Sequence, residues 1–254
     1  MESKRKAKII YLDSVDSTNT YLKNMALNGA ENGTAVIALK QTAGRGRTGN
    51  SFVSDEGGLY LSVLIDTHCL EIPETTALTS CTAVAVAHAL KDAVGITPGI
   101  KWVNDMILNE KKLGGILVEA GRIADGRIPY VVAGIGINVN QGRFPETIAG
   151  MAASIRRETG EKYPVDAVSG AIIARMDELI TNISSNNLGG YLKEYRELCV
   201  TVGRTVVFER NGQIITAEAK KITEDYGLLV TYRDGTEEIL RCGDVHVRGL
   251  EGYV

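Results

Sequence analysis

The sequence predicts an α/β (α+β) chain that ends in a small β-barrel. Two observations carry this. Up to about residue 200, short apolar runs of strand character alternate with segments of helical periodicity. After Gly203 only short strands remain, separated by turn dipeptides.

Residues 8–12 read as a strand. Asp16 or Ser17 then caps a helix to about Asn28, with Tyr21, Leu22, Met25 and Ala26 on one face and Gly29 as the stop. The apolar run 35–39 is a buried strand, 41–58 a polar, glycine-rich loop, and 59–65 another strand. Pro73 opens a helix to about Val94. It is apolar nearly all round (Ala77, Leu78, Val84, Ala85, Val86, Ala89, Leu90), as befits a helix inside a fold. Runs 100–103 with 106–108, then 113–119 and 130–139, are β-like, and Asp125-Gly126 signals a hairpin. Residues 165–183 form an amphipathic helix with Val168, Ile172, Met176, Leu179 and Ile183 in register, followed by a short helix over about 188–199. Five short strands follow (205–208, 214–222, 228–232, 237–240, 245–247), broken by Asn211-Gly212, Tyr226-Gly227 and Asp234-Gly235. A boundary near 200 divides the chain into residues 1–200 and 201–254.

The formal net charge of -3 over 254 residues argues against a protein built chiefly to bind nucleic acid, which needs clustered excess cations. The one basic cluster, Lys4-Arg5-Lys6 with Lys8, reads as a solvated tail. No long apolar run predicts a membrane span, and the N-terminus turns polar at Asp13, before a signal-peptide core forms. Cys69, Cys81, Cys199 and Cys242 are scattered, as reduced thiols of a cytoplasmic protein would be. His68, His88 and His246 are equally dispersed, so no metal site is expected from side-chain spacing. His88 reads as a satisfied core residue.

The densest chemical signal is the run 41–49, Gln-Thr-Ala-Gly-Arg-Gly-Arg-Thr-Gly. Gly44, Gly46 and Gly49 satisfy the spacing of a dinucleotide fingerprint, but no helical pattern opens at the third glycine. A P-loop would need lysine where Asn50 stands. What remains is glycine backbone that approaches an anion closely, with Arg45 and Arg47 able to fork onto carboxylate or phosphate oxygens. The bland alternative is a solvated surface loop.

A second constellation joins Lys101, Trp102, Asn104 and Asp105 at one strand end to Lys112 at the start of the next. Gly114 and Gly115 inside that strand suit a ligand close to the backbone. Trp102, the single tryptophan, reads as core. A third stretch, 134–140, ends an apolar strand with Asn138 as a polar contact. No serine-hydrolase elbow is present.

In chain order these stretches resemble the biotin protein ligase family, also called holocarboxylase synthetases. The pieces are Asp16-Ser17-Thr18-Asn19; Gln41 with Gly44-Arg45-Gly46-Arg47; Gly58-Leu59-Tyr60-Leu61-Ser62; Lys101-Trp102 with Asn104-Asp105; the run from Lys112 to Glu119; and Gly134 to Asn138. The weaker stretch 242–249 resembles the family's SH3-like C-terminal domain.

The resemblance implies a mixed central sheet flanked by helices, related to class II aminoacyl-tRNA synthetases. It also implies ATP-dependent attachment of biotin to a lysine of a carboxylase's biotin carboxyl carrier domain, through biotinyl-5′-AMP. Attack of a carboxylate on a polyphosphate needs nearby cations and Mg²⁺. By this likeness Arg45, Arg47 and Lys112 surround the carboxylate and phosphate. Ser17, Thr18, Asn19 and Gln41 hold the ureido ring, with Gly44, Gly114 and Gly115 beside the ligand. Arg47, Phe52, Asn104 and Asn138 meet the nucleotide, Asn138 near the adenine or the acyl tail. Asp105 orients the acceptor lysine or holds the metal.

Asn50-Ser51-Phe52 departs from the family's usual basic residue and tryptophan. Phe52 can still stack on adenine, but a cation is missing, and adenylate retention is expected to weaken. Val103 replaces a frequent proline. The chain starts at the catalytic strand, so neither the helix-turn-helix of bifunctional relatives nor operator binding is expected. Edge strands can support a homodimer. Lipoate attachment and a non-catalytic biotin or adenylate sensor are the rival readings; the retained charges and the run 112–119 favour biotin.

Overall fold

A computed structural model describes residues 8–68, 70, 75–121 and 128–241, and the backbone of 248–249. The basic tail, Cys69, Pro73, the Asp125-Gly126 hairpin, Cys242, His246 and the strand expected at 245–247 lie outside the described residues.

The first sheet has seven strands: β1 (Ile9–Leu12), β2 (Ala35–Ala38), β3 (Gly58–Asp66), β4 (Gly99–Lys101), β5 (Asp105–Leu108), β6 (Lys111–Gly121) and β7 (Tyr130–Asn138). Their order is β1-β2-β3-β7-β6-β5-β4. Only β1 and β2 run parallel; the other neighbours are antiparallel. The sheet is therefore mixed, as expected.

Strand side chains alternate between faces, and here the two faces have different fates. Leu59, Leu61, Val63 and Ile65 of β3 join Val131, Ala133, Ile135 and Ile137 of β7 in the main core. That core is closed by α2 (Thr75–Val94), α4 (Val165–Ser184) and α5 (Gly189–Leu198). Helix α2 is buried over most of its circumference, matching its predominance of apolar and small residues. The opposite face packs more lightly. There Leu22 of α1 (Thr18–Leu27) meets Val36, Leu64 and Val132. The rest of that face carries Tyr60, Ser62, Gly115, Gly134 and Gly136, and it is the floor of a cavity.

Two short elements were not legible in the sequence. Arg47–Gly49 is a single 3-10 turn, and Ile155–Thr159 is a short helix, α3, capped by the Ser154 side chain and ended by left-handed Gly160. His88 departs from expectation: it is partly exposed, its Nε2 lying 2.7 Å from Glu194 Oε2 of α5, so it is a surface contact between two helices and not a core residue.

The second sheet, all antiparallel, comprises β8 (Thr205–Arg210), β9 (Gln213–Ile222), β10 (Leu228–Thr231), β11 (Glu237–Leu240) and β12 (Arg248–Gly249), in the order β11-β10-β9-β8-β12. It matches the small SH3-like unit expected. Arg210 pairs with Gln213 across a two-residue turn. Asn211 and Gly212 both adopt positive φ (52° and 76°), the geometry that selects Asn-Gly there.

The two sheets share one hydrophobic core. Trp102 stands at the junction, 4% exposed. Its backbone N–H donates to Thr201 Oγ1 at 2.8 Å and its indole N–H to the Tyr226 carbonyl at 2.9 Å. Tyr195 adds a hydrogen bond to the Val103 carbonyl (3.2 Å) and an edge-on contact with Tyr226. Among the described residues no helix is long and apolar enough to cross a membrane.

Candidate active site

The register of the sheet builds the floor. Tyr60 pairs with Gly136, Gly136 with Gly115, Gly115 with Asp105, and Asp105 with Lys101, one row across five strands. A second row runs Ser62, Gly134, Leu117. Glycines at the centre of both rows leave a depression of about 400 Å³. It is walled by the start of α1, the loop 41–52, the turn into β5, the start of β6 and Met151.

One end is a hydrogen-bonding end. Ser17 is the N-cap of α1, its side chain accepting from the Thr20 N–H. Gln41 Oε1 accepts from the Thr18 N–H (2.9 Å) and hydroxyl (3.2 Å), while its amide donates to Ser54 Oγ (2.9 Å). The buried Ser62 hydroxyl lies 2.8 Å from Thr18 Oγ1 and 2.6 Å from Asn19 Oδ1. Asn19 Nδ2 continues the network to the Leu117 carbonyl (3.1 Å) and Glu119 Oε2 (2.8 Å). Buried polar groups this fully partnered hold fixed orientations.

The other end is cationic. The described lining carries Arg45, Arg47, Lys101 and Lys112 against a single carboxylate, Asp105. Lys112 Nζ is 2.6 Å from Asp105 Oδ1, and Arg47 donates to Asn104 Oδ1 at 3.1 Å. Asn104 is itself fixed to the Ile116 carbonyl (2.9 Å). The loop bearing the arginines closes on itself: Gly46 N–H donates to the Asn50 carbonyl (2.7 Å) and Phe52 N–H to that of Gly44 (2.9 Å). This brings the Phe52 ring over bare Gly136, edge-on to Tyr60, with Lys112 Nζ 6.0 Å from its centre. Excess positive charge in a concave, partly apolar wall draws anions.

Below the cations, Glu119 Oε1 lies 2.8 Å from Lys23 Nζ and 3.0 Å from Arg45 Nη2. Burial pushes its carboxyl pKa up, but hydrogen bonds from Lys23 and Asn19 and the charges of Lys23 and Arg45 outweigh this, and the net shift is downward. A depressed native pKa stabilises the fold above the ordinary carboxylate value, and that contribution is lost as pH falls through the depressed one. Thermal unfolding followed from pH 7 downward is therefore expected to show an acid loss of stability in the range beneath 4.5. Glu119→Gln should flatten that loss; an unchanged profile would count against the assignment.

Of the residues singled out from sequence, Ser17, Thr18, Asn19, Gln41, Arg45, Arg47, Phe52, Asn104, Asp105, Lys112 and Gly115 meet on this cavity wall. Three do not. A Cβ on Gly44 would strike Ser54 Oγ and the Phe52 carbonyl, so Gly44 serves the loop's own closure. Gly114 has the opposite strand parity to Gly115 and packs against Gly136 O and Ile137. Asn138 shares the floor's parity but is covered by the segment 141–153. Its amide donates to the Ala153 carbonyl (2.9 Å) and its oxygen accepts from Gln141 (3.4 Å).

Conversely, Glu119, Lys23, Ser62 and Met151 carried no assigned role in the sequence reading. Lys23 follows Asn19 by one helical turn, and Ser62 has the parity of Tyr60; both signals were readable. Met151 reaches the site only because its carbonyl accepts from Lys112 N–H (2.8 Å), a pairing with no local signature.

Gly134→Ala makes a sharp test of the floor. Its Cβ would lie 2.3 Å from Asn19 Oδ1, so the substitution must displace Asn19 from Ser62 and Glu119. Ligand affinity is expected to fall roughly tenfold or more, the cost of one displaced buried polar contact. Unchanged affinity in a titration would mean that Asn19 does not shape the binding end.

A cavity with a neutral hydrogen-bonding end, a glycine floor and a cationic end has the chemistry to receive a small molecule bearing carboxylate or phosphate. Comparison with known proteins narrows the class. Residues 11–138 match the Biotin/lipoate A/B protein ligase family, and the chain belongs to it. It is 30% identical over 241 residues to the biotin--[acetyl-CoA-carboxylase] ligase of Mycobacterium tuberculosis, covering 91% of this chain and 86% of that one. It is 41% identical over 157 residues to the bifunctional ligase/repressor BirA of Bacillus subtilis, a match spanning 61% of this chain but about half (48%) of that relative. Among solved structures, the biotin protein ligase from Aquifex aeolicus in complex with biotin and ATP superposes with a TM-score of 0.83 at 29% identity, over 95% of this chain and 99% of that one.

Proposed function

We propose that the chain works as a biotin protein ligase: it adenylates biotin with ATP and transfers the biotinyl group to a lysine of a biotin carboxyl carrier domain. The observation that carries this is the single cavity in which a fixed hydrogen-bonding end and a cluster of preorganised cations share a glycine floor. The reading divides the chain into a catalytic part, 1–200, and an SH3-like part, 201–254, and places the reaction in the cytoplasm.

In this reading the ureido ring lies against Ser17, Thr18, Asn19 and Gln41, and the acyl chain crosses the floor at Gly115, with Gly114 behind it. A biotin carboxylate oxygen attacks the α-phosphorus, and pyrophosphate leaves. Arg45, Arg47 and Lys112 reduce the anion–anion repulsion of that approach and hold the charge that develops. Arg47, Asn104 and Phe52 face the nucleotide. Asn138, tied to Ala153, supports the wall from behind and has no direct contact in this scheme. The acceptor lysine's amine then attacks the acyl carbon and AMP departs; Asp105, beside Lys112, orients that amine. Among the described residues no three His, Cys, Asp or Glu side chains gather to hold a metal. Mg²⁺ accompanying ATP would need only one or two carboxylates beside the phosphates; Asp105, the carboxylate of the described lining, would hold it and the ion would offset phosphate charge.

The test is ATP- and Mg²⁺-dependent transfer of labelled biotin to a recombinant carrier domain, with labelled lipoate and a lipoyl domain in parallel. Biotin transfer is the expected result. Lipoate transfer alone would move the chain to the lipoate branch of its family. Biotin binding without either transfer would make it a sensor.

A further inference from the structure

We propose that Glu119 is a positioning residue for Arg45, holding the glycine-arginine loop against the sheet so that the guanidinium is presented to an incoming carboxylate. For its ligand the proposal rests on the biotin-ligase reading; its geometry is independent of it.

Glu119 lies near the far end of β6, 74 residues along the chain from Arg45, and its carboxylate is mostly buried. Three groups from two elements converge on it. Lys23 and Asn19 of α1 fix it, the first on Oε1 (2.8 Å), the second on Oε2 (2.8 Å), and Arg45 of the loop then docks on Oε1 (3.0 Å). Asn19 is in turn anchored to the Leu117 carbonyl and Ser62, so the acceptor is rigid before the arginine arrives. Arg45 meets Glu119 as an ion pair through Nη2 alone (3.0 Å), and its side chain remains half exposed beside the cavity. The other donors are left for a ligand carboxylate or phosphate. Lys23 neutralises Glu119 on the same oxygen, so the carboxylate directs Arg45 without making the site repel anions. The same acid also ends the hydrogen-bond chain through Asn19, Ser62 and Thr18 to Gln41. The cationic and neutral ends of the cavity are thereby tied to one group.

Two measurements test this. Limited trypsin digestion of the ligand-free protein, with cleavage after Arg45 followed by mass spectrometry, reads the loop tether directly. Glu119→Gln is expected to raise that cleavage about 3- to 5-fold, the worth of one partly exposed ion pair. Equal cleavage overturns the proposal. The second measurement is biotin affinity by calorimetry in a double-mutant cycle. Glu119→Gln should weaken binding about 3- to 5-fold in the wild-type background and by less than twofold when Arg45 is already alanine. Tighter binding, as for a mere competitor of the ligand's carboxylate, or an effect that persists in full without Arg45, overturns it. Glu119→Asp, which keeps the charge but shortens the reach, carries the same cycle if the Gln variant does not fold. If the wild-type protein fails to bind biotin, the proposed function fails, and the tryptic measurement alone decides the role of Glu119.

Discussion

Lys112→Ala is expected to slow biotin-dependent pyrophosphate release about 100- to 1000-fold, with little effect on folding. The size follows from what the side chain does. Its ammonium is held in place by Asp105 at 2.6 Å, on the wall where two anions meet in the proposed reaction. A preorganised charge of this kind stabilises the transition state without reorganising, and loss of one such donor costs about 10²–10³ in rate. The fold is spared because the backbone of residue 112 is held independently of its side chain. Its N–H donates to the Met151 carbonyl and its carbonyl accepts from the Ala153 N–H, each at 2.8 Å. Asp105 loses a partly exposed partner, a cost of about 1 kcal/mol or less. Lys112→Arg is not a safe replacement, because a planar fork cannot occupy the site of a point charge. Pyrophosphate release and thermal unfolding, measured on the same sample, decide the matter. A loss below tenfold would remove Lys112 from the chemistry, and a collapse in melting temperature would make it structural.

The largest expected effect on stability belongs to Trp102→Ala, about 3–5 kcal/mol. The ring is buried at the junction of the two sheets, and its removal leaves a cavity in a core common to both. It also strips the Tyr226 carbonyl of its indole donor, and an unsatisfied buried acceptor adds about 1–3 kcal/mol to such a loss. With a total stability of about 5–15 kcal/mol for a typical protein, this is a large share, expected as a fall in Tm on the order of 10 °C. Trp102→Phe retains most of the ring but not the N–H and should cost about half as much. Because Trp102 is the only tryptophan, circular dichroism is the probe to use. A change under 1 kcal/mol would mean that the two sheets are not coupled through this residue.

These two residues also show where sequence reasoning succeeds. Trp102 and Lys112 sit in short runs whose residue types already state their placement: an aromatic within an apolar strand end is buried, and a cation beside a glycine pair lies on the cavity wall. The same holds for the glycine-arginine loop, whose failure to open a helix excluded a dinucleotide site before any coordinates were needed. Most helices and strands were legible as well, because periodicities of 2 and 3.6 residues are local properties. The Arg47–Gly49 turn and the short helix at 155–159 were not, being too brief to show a period.

The sequence by itself thus determined the order of elements, the family resemblance and nearly all the charged and amide groups of the cavity. Tertiary structure decided which of them the cavity uses. Strand parity separates Gly114 from Gly115, but only the register with β7 says which of the two faces the cavity. Asn138 has the right parity and is still withdrawn, because a segment more than ten residues further along claims its amide. Glu119 and Arg45 meet across 74 residues, and nothing near either one announces the other. The physical reason is common to all three. A side chain's chemistry is local, whereas its partner is chosen by packing between elements distant in sequence.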